Sequence, residues 1–355
     1  MTSRLAATPL SVLDRSRTRE GYDGPAALRD TVRFARRIER LGYRRFWVSE
    51  HHGVPGVAGS APTVLAAAVA AATSRIRVGT GGVMLPNHQP MVVAEQFGVL
   101  ASLFPGRIDM GLGRSVGFTE PIRRALGRDA SDAEAFEERL AELLGFFRGE
   151  EEHGQEDAPP GVRAHPADGL RVPAYVLATG EGADIAARAG LPLVIAAVRG
   201  RDRMLAAVER YRRDFSPSPA SQRPYVILSS TVAVGATEEE ARRLLVSEAW
   251  SLAYSRVHGV FPPLLPAERV ESLTMTARER TFYESAMEGH VAGTGERVAL
   301  ELESLLGESA ADEILVTTSA YDRDALLDSY RELARIAGAD GGALAPDEPP
   351  TGADT

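Results

Sequence analysis

The sequence contains no cysteine. A disulfide framework, a thiolate metal centre and a cysteine nucleophile are therefore all excluded. It also has no apolar run of about 18 residues, the length a helix needs to cross a bilayer. The opening MTSRLAATPL lacks the basic-then-apolar layout of a signal peptide, so a cytoplasmic protein is expected. Basic charge is in deficit, with 40 Lys and Arg against 49 Asp and Glu, a formal net charge of −9. The arginines are scattered and build no basic patch, which argues against nucleic acid or an anionic membrane as the main partner. What is present is ordinary for a globular protein: 355 residues, 44% hydrophobic and 25% charged. That length suffices for one (β/α)₈ barrel with an insertion, or for two smaller domains.

Short apolar or β-branched runs alternate with longer helical patterns, the order expected of a parallel α/β fold. Strands are predicted at Leu10–Leu13, Arg45–Val48, Arg75–Thr80, Arg107–Leu112, Ala174–Ala178, Leu193–Ala196, Tyr225–Val234 and Glu313–Thr317. Helices are predicted at Pro25–Leu41, Thr63–Thr73, Pro90–Leu103, Asp132–Phe147, Asp184–Ala189 and Arg323–Ile336. Eight strand–helix units make a (β/α)₈ TIM barrel the first reading and a doubly wound open sheet the second. Residues 1–340 read as one barrel domain. An acidic, Gly/Pro-rich stretch up to about Arg171 reads as a surface loop, and the segment from about Gly338, at least 341–355, as a frayed tail. Between strands seven and eight the chain is too long for one crossover, so an insertion is expected at about Val246–His290.

Barrel chemistry collects where strands end, and unusual residues fall there. His51 and His52 follow the second strand, Asn87 and His88 the third, Arg114 and Ser115 the fourth, and Thr179, Gly180 and Gly182 the fifth. Glu50-His51-His52 invites a metal reading. Adjacent residues on an extended chain point to opposite sides, however, and no HExxH or His-x-His pattern supports an ion, so no metal is expected. One histidine facing the pocket as acid/base and the other packing sideways is the better account. The turn ATGEGA leads into a helical run and exposes backbone N–H groups that suit a phosphate, with cationic Arg114 at the neighbouring strand end. Gly81-Gly82 in the third strand pattern marks either a kink or a close ligand approach. Trp250, Tyr254 and His258 lie four apart on one helical face, either as core packing or as the wall of a pocket. The FPPLLP run should end that helix at Pro262, and the whole could form a lid over the barrel mouth.

Three runs, RRFWVSEHHGVPGVAGSAP, RIRVGTGGVMLPNHQPMVVAEQ and FPGRIDMGLGRSVG, resemble the luciferase-like flavin monooxygenases. LPLVIAA and DEILVTTSAYDRDALLDSY extend the resemblance over nearly the whole chain, in the same order. The resemblance implies a barrel that binds flavin at its C-terminal mouth. Arg114, Thr179 and the Gly180–Gly182 backbone would hold the flavin phosphate. Gly81 and Gly82 match a non-proline cis peptide or bulge behind the flavin ring, Glu95 an acidic position near it, and His51 the catalytic histidine. His52, Trp250, Tyr254 and His258 are expected at the substrate pocket. Gly113 stands where luciferases carry a reactive cysteine, so light emission is not implied.

The implied activity uses reduced FMN, supplied by a separate reductase, and O₂ to oxygenate a small organic molecule as a hydroxyl, epoxide or inserted ester oxygen. His51, with an ordinary pKa near 6.5, would move protons at neutral pH. A branch linked to aromatic polyketide tailoring and a homodimer are expected. A deazaflavin-dependent hydride-transfer enzyme and a non-catalytic flavin-binding protein are the alternatives.

Overall fold

The computed structural model describes residues 3–148, 161–198 and 200–338. Its strands are β1 (Leu10–Asp14), β2 (Arg45–Val48), β3 (Arg77–Thr80), β4 (Val83–Met84), β5 (Ile108–Gly113), β6 (Ala174–Ala178), β7 (Leu193–Ala196), β8 (Val226–Ser230), β9 (Val232–Val234), β10 (Val291–Gly293) and β11 (Glu313–Val316). Nine of them form one parallel sheet in the order β3-β2-β1-β11-β8-β7-β6-β5-β4. Val78 of β3 pairs with Ile108 of β5, which joins the ends and closes the sheet. β3 and β4 are halves of one stave, so the result is the expected eight-stranded barrel wrapped in helices.

Both faces of the strands are covered, which is why they read as continuous apolar runs rather than alternating ones. One face packs against the helices, with Val12, Phe46, Val48, Val176 and Ile195 in the large outer core. The other fills the barrel with Leu13, Trp47, Tyr175, Val194, Ile227 and Leu315. The N-terminal end of the barrel is closed by charge. Buried Arg45 donates through Nε to Glu313 at 2.9 Å and through Nη1 to Asp109 at 2.8 Å. Arg77 Nη2 and Trp47 Nε1 add donors to Asp109 at 2.7 and 3.0 Å. Every carboxylate in this layer therefore has a cation, as burial demands.

Helices begin where side chains satisfy their first N–H groups. Asp23 accepts from Ala26 N–H to start Gly24–Arg40, and Asp322 caps Arg323–Ile336. The strand following β7 departs from expectation. Tyr225–Val234 splits at Thr231 into β8, which stays in the barrel, and β9, which pairs with β10 outside it. A crossover helix, Gly295–Ser309, returns the chain to β11, and Ser131–Ala135 is a 3₁₀ turn before the helix Phe136–Gly145. Most of the acidic stretch before Arg171 and nearly all of the expected tail lie outside the described residues.

Between β8 and β11 runs a long helix, Glu238–His258, with two shorter ones, Ala267–Glu271 and Ala277–Ala286. Thr237 caps the long helix, and Gly259, at φ +72°, ends it before the expected Pro262 is reached. The left-handed conformation, not proline, is the stop. These helices build a core of their own around Trp250, Val246, Val270 and Met287. They are fastened to the barrel mouth by backbone bonds: Leu264 N–H to Thr18, Glu20 N–H to Leu264 and Gly56 N–H to Phe261, at 2.8–2.9 Å.

Candidate active site

Four loops meet at the C-terminal mouth of the barrel. Residues 16–18, after β1, run beside 56–58, after β2: Thr18 N–H donates to Gly56 and Ala58 N–H to Ser16. The same second loop folds back so that His51 N–H reaches Gly59 at 2.9 Å. From beyond β5, Phe118 packs on Phe261 of the strap that follows the long helix, ring centres 4.7 Å apart.

Glu50 is the hub of this region. It is 3% exposed, and its Oε1 sits 2.6 Å from His52 Nε2 and 2.8 Å from His88 Nε2, while Oε2 accepts Met84 N–H at 2.9 Å. Burial pushes its carboxyl up, but these hydrogen bonds outweigh burial and hold it at about 2. Residues 50 and 52, two apart on an extended chain, share a side. The opposite-sides argument against a metal therefore applies only to neighbours, and it is corrected here: Glu50, His52 and His88 offer ligand atoms all within 4.8 Å of one another. The 2.6 and 2.8 Å separations are those of hydrogen bonds from one ring nitrogen of each histidine to the carboxylate.

His51 points elsewhere. Its Nδ1 lies 3.1 Å from Ser49 Oγ. Burial first, then the charges of Arg15 and Arg17, push its pKa down to about 4. The ordinary value near 6.5 expected from sequence is thus corrected. His51 is a neutral ring at neutral pH, and a weaker base than a solvent-exposed imidazole.

The Gly81-Gly82 peptide is cis and separates β3 from β4. A β-carbon on Gly82 would lie 2.9 Å from the Gly111 carbonyl oxygen, so the strands approach too closely for a side chain. Beyond it, the buried amide of Asn87 finds no hydrogen-bond partner at either atom among the described residues. Arg114 and the Thr179–Gly182 turn come together because β5 and β6 are neighbours. Arg114 Nη1 lies 3.5 Å from Glu181, a long contact between exposed groups that leaves the guanidinium available. Gly182 is the first residue of the helix Gly182–Arg188, while Thr179 is exposed and Gly180 faces open space.

Other expected site residues are not gathered here. Glu95 lies half-buried on the helix Pro90–Leu103, three residues from exposed Val92 and four from exposed Val99, with no bond to the mouth groups. Trp250 meets Tyr254 edge to face, and Tyr254 lies tilted against His258, whose Nε2 meets Glu279 at 2.9 Å. Trp250 and Tyr254 are core packing between helices, while His258 is exposed at the end of the stripe. A flanking face of the long helix reaches the mouth, through Glu248, which pairs with Arg15, and Ser251, which accepts from Arg17. The two arginines and Glu248 were not anticipated from sequence. The run DRSR directly after a strand was the available signal.

An eight-stranded parallel barrel that gathers Glu50, His51, His52 and His88 just past its strand ends defines an enzyme of the TIM-barrel class. The chain belongs to the luciferase-like monooxygenase family, whose model matches residues 8–334. A luciferase-like monooxygenase of Escherichia coli (strain K12) is 35% identical over 338 residues, 94% of this chain and 97% of the relative. The N-acetyl-S-alkylcysteine monooxygenase of Bacillus subtilis (strain 168) is 35% identical over 317 residues, 87% and 92% of the two chains. Among solved structures, apo-MsnO8 superposes with a TM-score of 0.80 at 31% identity, covering 94% of this chain and 99% of that one. A Baeyer–Villiger monooxygenase in complex with FMN and an F420-dependent secondary alcohol dehydrogenase, both 17% identical with TM-scores of 0.68 and 0.67, share the fold.

Proposed function

We propose that this enzyme is a two-component monooxygenase that uses reduced FMN and O₂ to oxygenate a small organic substrate, with a separate reductase supplying the flavin. The observation that carries the reading is the meeting of Arg114 with the Thr179–Gly182 turn. A cation with only a long, exposed partner stands beside a turn whose glycine faces open space, which suits a phosphate. Gly81-Gly82 and the unpartnered amide of Asn87 supply a flat wall and a polar contact for the ring. Bound reduced flavin would supply two electrons, so that one oxygen atom enters the substrate and the other leaves as water.

The chain's own residues do the rest. Neutral His51 accepts a proton from the reacting group of the substrate. Glu50 holds His52 and His88 in fixed orientation beside it. The helices of about 246–290 act as a lid on the single barrel domain, excluding water. The work belongs to the cytoplasm and to secondary metabolism, aromatic polyketide tailoring included. No helix among the described residues is long and apolar enough to cross a membrane. A second copy packs on the helices Pro62–Ala72 and Pro90–Leu103, whose outer faces carry exposed Val64, Val92, Val99 and Leu103.

The test is a pair of anaerobic titrations, reduced FMN and reduced riboflavin, against the wild type and Arg114→Ala. Losing a charged partner of the phosphate should weaken FMN by about tenfold or more, and leave riboflavin nearly unchanged. Equal losses would mean that Arg114 supports the fold, and preferential binding of the deazaflavin would favour hydride transfer.

A further inference from the structure

Arg17 is a buried cation without a paired carboxylate among the described residues. It is 8% exposed, and its guanidinium makes one hydrogen bond, from Nη2 to the Ser251 hydroxyl. Nε is buried and unpartnered, and Nη1 meets no acceptor among the described residues. The Ser251 hydroxyl is neutral and is itself donated to Pro262 at 3.1 Å. Burial pulls Arg17 down to about 10, partly offset by Glu248 and deepened by Arg15, the sign of a charge whose lost hydration has not been replaced.

The neighbouring carboxylates are already engaged. Glu248 pairs with Arg15, which also donates to the Thr317 carbonyl at 2.8 Å. Asp14 is matched by Arg323 at 2.7 Å. Glu50 faces His52 and His88. Two arginines and one carboxylate, beside a neutral His51, leave one positive charge in excess. The place is fixed as well. Asp14 accepts Ser16 N–H at 2.6 Å and holds the turn in which Ser16 takes φ +51°, so Arg17 is thrown under the long helix, against the loop that carries His51. In the barrel order β1 stands diametrically opposite β6, whose turn is the proposed phosphate site. Arg17 is therefore across the mouth from the phosphate, where a substrate and not the cofactor's tail would lie.

We infer that Arg17 is the recognition group for a carboxylate on the organic substrate, so that the enzyme oxygenates a monoanionic organic acid. The inference rests on the monooxygenase reading for the word substrate, and adds the substrate's chemical class. One excess charge is balanced by a monoanion, and a planar carboxylate matches the guanidinium. A phosphate dianion would leave a negative charge behind. At the other end of the barrel each buried carboxylate has a cation: Asp109 meets Arg45 and Arg77, and Glu313 meets Arg45.

The probe is a matched pair, benzoate and benzamide, titrated into flavin-free wild type, Arg17→Met and Arg17→Lys. The full chain is used, and melting temperature is recorded for each. Wild type should prefer benzoate by about tenfold or more. Arg17→Met should bind the two within about threefold of each other, and Arg17→Lys should restore part of the preference. Losing an uncompensated buried cation should leave the melting temperature of Arg17→Met equal or higher. No preference in the wild type, a preference that survives in Arg17→Met, or an equal loss of both probes overturns the inference. Reduced FMN is titrated in parallel. A selective loss of FMN in Arg17→Met, with carboxylate preference intact, would assign the charge to the flavin instead. Absence of FMN binding in the wild type would sink the monooxygenase reading and leave the carboxylate result to stand by itself.

Discussion

Acidifying the protein from pH 7.5 to pH 5 adds a proton to His51 in the unfolded chain but not in the folded one. The imidazole drops from its ordinary value of 6.5 to about 4 because it is buried and lies near Arg15 and Arg17. Between those two values the unfolded state binds more protons, so stability rises with pH across that window and is lost as pH falls through it. The whole difference amounts to roughly 3 kcal/mol, of which about 2 kcal/mol is lost by pH 5. Glu50 has the same sign but a separate window, since its folded value of about 2 lies below its ordinary 4.5 and its contribution is lost only below that. Measurements above pH 4.5 therefore isolate His51. Urea denaturation of the wild type and His51→Gln at pH 7.5 and pH 5 reads the effect as a difference between the two proteins, so other titrating groups cancel. The wild type should lose roughly 2 kcal/mol more than the variant on acidification. Parallel losses in the two proteins, or an imidazole titrating near 6.5 in NMR of histidine-labelled protein, would refute the reasoning.

Two further outcomes are expected. Asp109→Asn leaves Arg45 and Arg77 buried against a neutral amide and should cost about 3–5 kcal/mol in urea denaturation, with FMN affinity in the surviving folded protein little changed. If a second copy packs as proposed, Leu103→Glu, at a 64%-exposed position ending the helix Pro90–Leu103, should shift the protein from dimer to monomer in sedimentation while changing its melting temperature little.

The barrel was legible because its strands are buried on both faces and its helices carry clear periodicity. Ala174–Ala178, Leu193–Ala196 and Pro90–Leu103 stand where the apolar runs put them. The β8–β9 split was not legible, since Thr231 interrupts neither composition nor alternation, and only the change of sheet reveals it. Val298, Leu302 and Leu306 at four-residue spacing do mark the helix Gly295–Ser309 in the sequence. At the site, the strand order brings Arg114 to Glu181 across 67 residues, as parallel neighbours must. What no local pattern carries is the state of His51, set by burial and then by two arginines from another strand end, or the pairing of Glu50 with His88, 38 residues away. Burial decided the Trp250 stripe in the same way. Periodicity gives the face of a helix, and only packing tells what lies against it.

The order of strands around the barrel bears on how the chain is made. β11 is the last strand in the chain, yet it lies between β1, the first, and β8. It also brings Glu313, the carboxylate that Arg45 meets from 268 residues away. A chain emerging from the ribosome can pair β1 through β8 while Glu313 is still to come. Until it arrives, β1 and β8 hold unpaired N–H and C=O groups at open edges, and Arg45 lacks half of its counter-charge. Closure of the ring is therefore a late event of synthesis, and the interval before it is when the nascent protein is most exposed to pairing with its neighbours on the polysome.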